Sequence, residues 1–455
     1  MPFYAAPGVY VEEVPSGARP IGAVGTSTAA FVGVAPNRQA RPGEAVAVNN
    51  WTEFCSTFAP QGSGSTVLAN AVFGFFNNGG GRCYVVNVDE GAGIAGTGTE
   101  RSGLALLEAI DEVAIVAAPG YSDAASYDAL LSHCELMEDR VAILDPPGEV
   151  RKVEALTRAA AAELSEGNPG SPGNPGEPRE PGEESPPGTA EAETPAGESA
   201  GDAGVPAERE GRPPARTDQP SPRRRDGAGA DEDEGLRPRQ SDYGTLYFPH
   251  IVVRDPLAGQ LVSVPPSGHM AGIWARTDMT RGVHKAPANE PVRGALNVTY
   301  RVTRQEQELL NPKGVNCIRY FPVEGIRVWG ARTLGAEAGE FRYLNVRRLF
   351  NMLKESIAEG TRWIVFEPND YVLWRAIRRD VGAFLTRVWR DGALFGRTPQ
   401  EAFFVKCDEE TNPTEERDAG YVTTLIGVAP VKPAEFVVFK LSQSTAGTEI
   451  ETVGG

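Results

Sequence analysis

The sequence predicts a multidomain protein that combines the α/β and α+β classes, with a mostly parallel sheet in its central part. Its 455 residues, 40% of them hydrophobic, are enough for two or three domains with sizeable cores. Strand-like apolar runs alternate with segments of helical periodicity between residues 113 and 253. Because this alternation places successive strands parallel, with their helices on the faces of the sheet, we expect a sheet covered on both sides.

The first elements are bounded by glycine and by polar residues. Residues 28–34 and 83–88 are apolar runs of strand length, whereas residues 67–76 have the length and periodicity of a helix. Residues 78–81 (NGGG) end that helix, because glycine favours helix C-termini. They do not indicate a phosphate-binding loop, since the Gly-Lys-Ser/Thr continuation is missing.

The central elements alternate in type. Residues 113–117 and 140–144 predict buried strands, and Asp123 predicts the N-cap of the helix between them. Helical spacing of apolar residues continues over residues 148–164. An aromatic, β-branched run over residues 243–253 predicts the next strand.

Residues 165–240 differ from the rest of the chain in composition. They are rich in Pro and Gly, contain no aromatic residue, and carry 17 acidic and 9 basic side chains, a net −8 of the −17 of the whole chain. Such a segment buries too little apolar surface to offset the entropy lost on ordering. We therefore expect a disordered, solvated insertion. The alternative is a partner-binding site formed by its Glu-rich first half and by the basic cluster at residues 223–225.

The C-terminal third has a compact α+β pattern. Residues 346–357 place apolar side chains on one helix face, and Asn369 or Asp370 caps a second helix. The apolar face of the second helix comprises Leu373, Ile377, Val381, Phe384 and Val388. The predicted strands are residues 363–366, 402–406, 421–428 and 436–441.

Charge and cysteine content argue against several function classes. The net charge of −17 argues against a nucleic-acid partner or an anionic membrane surface. The cysteines lack the spacing of zinc sites or disulfide frameworks, which predicts free thiols in a reducing compartment and no bound metal. They are Cys55, Cys83, Cys134, Cys317 and Cys407. The chain shows no signal peptide and no apolar run of bilayer length, so we expect no stable membrane insertion and production in the cytoplasm.

The sequence does not indicate a catalytic set. Ser27 lies in a run (GTSTA) that resembles the nucleophile loop of subtilisin-type proteases, but it precedes every histidine and leads into a strand-like segment. None of the histidines can be tied to it; they are His133, His250, His269 and His284. Asp145 ends a strand, where α/β sheets place functional groups, but the prolines that follow favour a turn. We predict no enzyme, no catalytic residue and no cofactor, and a serine hydrolase is the least favoured alternative.

Turn-rich motifs occur in order along the chain outside the insertion. They are residues 7–17 (PGVYVEEVPSG), 75–86 (FFNNGGGRCYVV), 282–289 (GVHKAPAN), 311–316 (NPKGVN), 407–413 (CDEETNP) and 427–437 (GVAPVKPAEFV). Together they resemble the tail sheath proteins of contractile phages and of related contractile injection systems. The insertion departs from the usual pattern of that family.

The resemblance implies a structural subunit that forms stacked hexameric rings around an inner tube and contracts to drive the tube through a target envelope. The implied partners are other copies of the chain, the inner tube protein, and baseplate and terminal cap proteins, in a phage tail or a phage tail-like particle. The runner-up is a non-contractile virion or surface structural protein that uses the same arms.

The resemblance also implies a domain plan. The outer α/β domain has a subtilisin-like topology without protease function, and an inner α+β domain is built from N- and C-terminal parts. The implied divisions are an N-terminal arm (1–20), the N-terminal part of the sheath body (21–95), the outer domain with its insertion (96–330), the C-terminal sheath domain (331–442) and a C-terminal arm (443–455).

Two terminal segments alternate apolar or β-branched residues with acidic ones and lie outside the compact patterns. They comprise Val9, Tyr10, Val11, Glu12, Glu13 and Val14 at one end, and Thr448, Glu449, Ile450, Glu451, Thr452 and Val453 at the other. In the family that the chain resembles, such arms add strands to a neighbouring subunit's sheet. We expect the same subunit-linking role here.

The second C-terminal helix is basic away from its apolar face. Its cations are Arg375, Arg378, Arg379, Arg387 and Arg390. Because an inner tube must be gripped and later released, salt-sensitive polar contacts suit this interface better than an apolar seam. We expect these arginines to contact acidic groups on the tube. The alternative is that they pair within the sheath.

Overall fold

An eight-stranded sheet organises the part of the chain that the structure describes. The structure is a computed structural model and describes residues 20–96, 101–160 and 235–438; both predicted arms and most of the predicted insertion lie outside these ranges. In chain order the strands are β1 (Ala29–Gly33), β2 (Ala45–Val48), β3 (Cys83–Asn87), β4 (Ile115–Ala117), β5 (Val141–Leu144), β6 (Gly244–Phe248), β7 (Ile251–Arg254), β8 (Leu261–Val264), β9 (Ala295–Val298), β10 (Val315–Phe321), β11 (Gly325–Trp329), β12 (Phe403–Lys406) and β13 (Leu425–Val428). The helices are α1 (Trp51–Phe58), α2 (Val67–Asn77), α3 (Ala124–Met137), α4 (Ser267–Arg281), α5 (Arg304–Leu310), α6 (Leu344–Thr361), α7 (Tyr371–Arg390), α8 (Pro399–Ala402) and α9 (Thr414–Asp418).

The six central strands of this sheet are parallel, and its two edge strands are antiparallel. The strand order is β11-β10-β6-β5-β4-β1-β3-β2, with β11 and β2 running against their neighbours. The four innermost strands, β1, β4, β5 and β6, are buried along their whole length because helices cover both faces. In β1, Phe31 packs on the side of α2 and α4, whereas Val32 packs on the side of α3. The prediction of a mostly parallel sheet is confirmed.

The helix N-caps predicted at Asp123 and Asp370 are confirmed. The Asp123 side chain accepts the Ser126 N–H at 2.9 Å at the start of α3. The Asp370 side chain accepts the N–H groups of Val372 and Leu373 at the start of α7. The cysteines are free thiols, as predicted. Among the described helices, none is both long and apolar enough to cross a membrane.

The helix predicted over residues 148–164 is wrong in its described part. Only a short 3-10 turn forms, over Val153–Thr157. The backbone that follows bonds to a distant segment instead of to itself: the Leu236 N–H donates to the Ala155 carbonyl, and the Arg237 N–H donates to the Arg158 carbonyl. These long-range bonds use the carbonyl groups that a continuing helix would need.

The strand predicted over residues 243–253 is two strands in different sheets. β6 ends at Phe248 and β7 begins at Ile251, with Pro249 between them. Because proline has no N–H to donate, the pairing does not continue through this position. β7 instead forms a three-stranded sheet with β8 and β9.

One further predicted strand is wrong, and a second is only partly described. Residues 363–366 form part of a tight turn between α6 and α7, with a 3-10 segment at Arg362–Ile364 and a positive φ at Phe366. A residue with φ near +70° cannot continue a strand. Residues 436–438 are not part of a strand, and the remainder of the strand predicted over residues 436–441 lies outside the described residues.

A separate apolar cluster packs α6 and α7 against β12 and β13. The predicted face of α7 is buried in it, from Leu373 to Val388. Each helix has one apolar stripe, which explains why the spacing of apolar residues predicted both helices. The cluster also takes in Ile21, so the start of the described chain packs with its C-terminal layer.

Helix α4 is not apparent from the sequence because its first eleven residues, Ser267–Thr277, are buried on all sides. A helix without a polar face shows no stripe of helical period. Its glycines allow close packing on α2, since a Cβ at Gly268 would overlap the backbone of Ala71. A Cβ at Gly272 would likewise overlap the backbone of Phe75.

Replacing Gly268 by Ala should therefore lower the free energy of unfolding by about 1–3 kcal/mol, because α2 and α4 must separate to admit the methyl group. Gly382→Ala in α7 is the matched control. A Cβ there meets open space, so we expect a gain of roughly 0.5–1 kcal/mol from helix propensity. Urea unfolding followed by circular dichroism measures both variants, and equal midpoints would contradict the close helix contact.

Candidate assembly site

The sheet formed by β12 and β13 has two strands in the described part of the chain. Phe403 pairs with Val428 and Lys406 with Leu425, in antiparallel register. Isolated two-stranded sheets are marginally stable in water, and their outer edges carry unpaired N–H and C=O groups. This small sheet is therefore a template to which another strand can be added.

The two faces of this small sheet differ. Phe403 and Val428 pack toward α7 as part of the C-terminal cluster. The opposite face exposes Phe404 and Leu425, and the Phe404 ring lies over Gly427, where a Cβ would overlap it. One face thus fixes the sheet on its helix, while the other leaves apolar surface for a further contact.

Helix α7 supports this sheet and carries the five arginines predicted to face a tube. Three of them have partners within the chain. The Arg378 side chain donates to the Cys407 carbonyl at 2.5 Å, Arg387 donates to the Ile21 carbonyl, and Arg379 pairs with Asp380 at 2.9 Å.

Arg375 and Arg390 are different. Both are exposed, and neither forms an ion pair with any residue in the described ranges. Arg375 lines a shallow pocket with Tyr371 and with the acidic turn at residues 408–410. Of the predicted set, these two arginines are the ones left available for an external acidic group.

The segment after β13 is held by a clamp that the sequence analysis did not predict. Arg332 binds the Glu435 carboxylate through two nitrogens, at 2.9 and 2.7 Å. The Asn311 amide donates to the same carboxylate at 2.7 Å, and the Tyr343 hydroxyl lies 3.2 Å from it. The partners come from residues 92 to 124 positions away, so the motifs around Asn311 and Glu435 were visible in the sequence but the contact between them was not.

The clamp keeps Glu435 charged. Burial opposes its charge, but hydrogen bonds from Arg332 and Asn311 outweigh burial and lower the pKa of Glu435 below its ordinary value of 4.5. Beyond Glu435 the apolar side chains of Phe436, Val437 and Val438 are exposed. Glu435 is therefore the last anchored residue before the chain leaves the described structure.

The side chains most similar to a catalytic pair are inaccessible. The Ser267 hydroxyl donates to the Asp145 carboxylate at 2.5 Å, and these residues are 0% and 1% exposed. Burial raises the pKa of Asp145 to about 7 despite hydrogen bonds from Ser267 and Gly120. This pair ties α4 to the end of β5.

The other candidate residues do not converge either. Burial lowers the pKa of His269 to about 4, and its ring packs against Gly74. No described hydrogen bond joins Ser27 to a histidine. Within the described residues, no group of three or more His, Cys, Asp or Glu side chains is placed to hold a metal ion.

Comparison with solved structures identifies the fold. The chain matches the anti-feeding prophage helical sheath in its contracted state with a TM-score of 0.66 and 25% identity, covering 97% of this chain and 100% of that chain. It matches the baseplate of the same particle in its contracted state with a TM-score of 0.66 and 26% identity, covering 97% and 99%. A sheath complex of an extracellular contractile injection system, PVC, gives 0.68 at 24% identity, covering 98% and 99%. The fold is that of contractile sheath subunits.

Sequence comparison finds similarity to phage tail sheath proteins over two segments of the chain. Residues 220–334 match the phage tail sheath protein central domain, and residues 337–444 match the phage tail sheath C-terminal domain. The tail sheath protein of Vibrio phage KVP40 is 29% identical over 42% of this chain and 28% of its own length. That of Burkholderia phage BcepMu is 28% identical over 40% and 39%. The matched segments thus span well under half of these relatives. Both matched segments are therefore similar to domains of phage tail sheath proteins.

Glu435→Gln should release the clamped segment. Hydrogen bonds to charged groups contribute about 1.5–3 kcal/mol, and the amide cannot replace both charged contacts to Arg332. We expect faster hydrogen–deuterium exchange over residues 429–438 with little change in β1 or β6. Glu337→Gln is the matched control, because Glu337 is exposed on the same surface and has no ion pair in the described ranges.

The wild-type clamp should also weaken in acid. Because the pKa of Glu435 is lower in the folded protein than its ordinary 4.5, its stabilising contribution is present above about pH 4.5 and is lost as pH falls through the folded-state value. The Glu435→Gln protein should lack this acid-dependent step. Identical pH profiles of protection for the two proteins would contradict the clamp.

Proposed function

We propose that this chain is the subunit of a contractile sheath, which polymerises as stacked hexameric rings around an inner tube and contracts to drive the tube through a target envelope. The observation that carries the proposal is the full-length match to a helical sheath in its contracted state. A match over 97% of this chain includes the body and the C-terminal layer together, not one shared domain.

The protein acts mechanically and not as an enzyme. The buried Asp145–Ser267 pair offers no site for a substrate, which supports this view over a serine hydrolase. A non-contractile virion or surface structural protein remains the second candidate, because strand exchange and ring formation do not require contraction. The two candidates are distinguished by the length of the polymer: a contractile sheath has an extended and a shorter contracted form, whereas a non-contractile protein has a single form.

Copies are linked by strands. In this mechanism, residues 9–14 of one copy and residues 448–453 of another add to the edges of the β12–β13 sheet of a third. Main-chain hydrogen bonds supply the affinity, and side chains on one face fix the register. The exposed Phe404 and Leu425 give an added strand apolar neighbours.

The other partners are those of a contractile particle. The sheath grips an inner tube, binds a baseplate at one end and a terminal cap at the other, and has no nucleic-acid partner and no stable membrane insertion. It is made and assembled in the cytoplasm of the producing cell, as part of a phage tail or a phage tail-like particle. It needs no cofactor for this role.

Contraction is a transition between two packings of one polymer. Linking strands keep neighbouring copies connected while folded bodies rotate and slide. The extended packing is metastable and is held by the tube and baseplate. Better contacts between bodies in the contracted packing supply the free energy that moves the tube.

The purified chain should form striated or cogwheel-ended tubes in negative-stain electron microscopy. Deleting residues 1–15 or residues 446–455 should leave the subunit folded by circular dichroism but prevent long tubes, because each copy loses strand pairing with a neighbour. Val11→Pro should act like the N-terminal deletion, since proline removes a main-chain donor.

Val11→Thr is the matched control, because threonine keeps the N–H and favours strands. Arm-deleted protein that still built contractile tubes would defeat the linkage mechanism. Wild-type protein that formed only discrete particles with hydrolytic activity would defeat the sheath function.

Reversing the charge of Arg375 and Arg390 to Glu should weaken binding of the sheath to its tube more than sheath self-assembly. These two arginines lack ion pairs within the described chain, so their charge is available to acidic groups on the tube. Co-sedimentation with the tube at low and high salt measures the effect. Arg397→Glu, an exposed arginine beyond α7, is the control, and unchanged tube binding by the double reversal would count against this contact.

A further inference from the structure

The turn between α6 and α7 presents two adjacent apolar side chains to solvent. Phe366 is fully exposed, and Val365 is 64% exposed. We name these two residues the knob. Exposed clusters of large apolar residues mark sites of interaction with other molecules.

The backbone of the knob is strained. Phe366 has φ near +70°, a region that suits glycine and that bulky residues rarely occupy. Such conformations persist only where the surrounding structure enforces them, and they cluster at functional positions. Here the conformation directs an aromatic ring away from the protein's own core.

Polar contacts hold the turn in place. The Glu367 N–H donates to the Ile364 carbonyl at 3.0 Å. The Asn369 side chain donates to the Tyr421 carbonyl and accepts from the Trp374 indole, both at 2.9 Å. Because the turn is fixed on both sides, the knob is pre-organised and loses little conformational entropy on binding.

A groove elsewhere on the same chain has the complementary character. It lies beside α5, β10, β11 and the clamped C-terminal segment, and its volume is about 820 Å³. Its apolar lining includes Pro312, Trp329, Ala331, Pro433 and Phe436. We name this surface the groove.

The groove is lined by both signs of charge, but among its charged residues without an ion pair in the described ranges the two arginines Arg319 and Arg342 outnumber the single glutamate Glu337. Glu367, next to the knob, is exposed and forms no ion pair in the described ranges. Arg319 and Arg342 line the groove, and neither has a carboxylate partner there; Arg319 donates to the Gln307 amide and Arg342 to the Glu337 carbonyl. An apolar contact with a charged rim is typical of specific interfaces.

We propose that the knob of one copy seats in the groove of a second copy. Because knob and groove are different surfaces, this contact is head-to-tail and generates a ring or a helical polymer instead of a closed dimer. The inference rests on the proposed function for the identity of the partner. It adds a contact between folded bodies to the strand exchange between arms.

Phe366→Gly separates this role from a structural one. Glycine relieves the strained φ, so the thermal midpoint of the free subunit should stay the same or rise. Assembly should nevertheless need about tenfold more protein, because an aromatic anchor at the centre of a contact is lost. Leu136→Ala, which removes an exposed apolar side chain from α3, is the control.

A charge exchange between Glu367 and Arg319 tests whether the knob binds in the groove. Glu367→Arg and Arg319→Glu should each weaken assembly, and the double variant should recover most of it, because the pair is restored with reversed sign. Light scattering against protein concentration measures all four proteins. Absence of recovery would overturn the groove as the seat, and single variants that assembled like wild type would overturn the contact itself.

A photo-crosslinking amino acid at position 366 distinguishes this inference from the sheath function. Crosslinks to groove residues of another copy in any polymer would support the contact, even if that polymer were not a contractile sheath. Sheath tubes crosslinked elsewhere would overturn the contact while leaving the sheath function intact. A chain that stayed monomeric at every concentration would overturn both.

Discussion

The buried ion pair between Arg348 of α6 and Asp278 of α4 is the interaction on which the rest of the structure depends. The two side chains are 3% and 4% exposed, and their closest atoms are 2.6 Å apart. Arg348 also donates to the Thr26 carbonyl at 2.9 Å and lies over the Trp274 ring, while the Thr26 hydroxyl donates to Asp278 at 2.6 Å. Three distant parts of the chain, represented by Thr26, Asp278 and Arg348, thus meet at one desolvated ion pair.

Such a pair specifies an arrangement more than it stabilises one. Desolvation offsets much of the attraction between the two charges, but removing one partner leaves a buried charge that costs about 3–5 kcal/mol. If α6 packed elsewhere on the sheet body, Asp278 would remain buried without its partner Arg348, and the protein would lose that much stability. The C-terminal helices are therefore fixed to the body in a single arrangement.

The sequence predicts the elements whose patterns are local. The stripe of α7, its cap at Asp370 and the apolar strand β1 need only neighbouring residues to be recognised. Prediction from the sequence fails for elements that are buried on all sides and for contacts between residues that are far apart in the chain. The buried first eleven residues of α4 have no polar face to reveal the helical period, and the carbonyl groups of Ala155 and Arg158 accept hydrogen bonds from residues about 80 positions later.

The candidate site divides in the same way. The positive character of α7 is visible in the sequence, but which arginines remain available is not. Arg378 and Arg387 are captured by the carbonyl groups of Cys407 and Ile21, and that capture depends on the packing of the termini around the helix. The Glu435 clamp is hidden for the same reason, since Arg332 and Asn311 reach it from another part of the fold.

The charge of the chain limits how copies can be held together. Each copy carries a formal net charge of −17, so copies packed in a polymer repel one another. Ion pairs at exposed rims contribute little against that repulsion, because water and salt screen them. Main-chain pairing between strands and burial of apolar side chains do not depend on net charge. In the proposed polymer, strand pairing and apolar contacts between bodies are the interactions that net charge does not weaken, which leaves charge to set register and to exclude wrong partners.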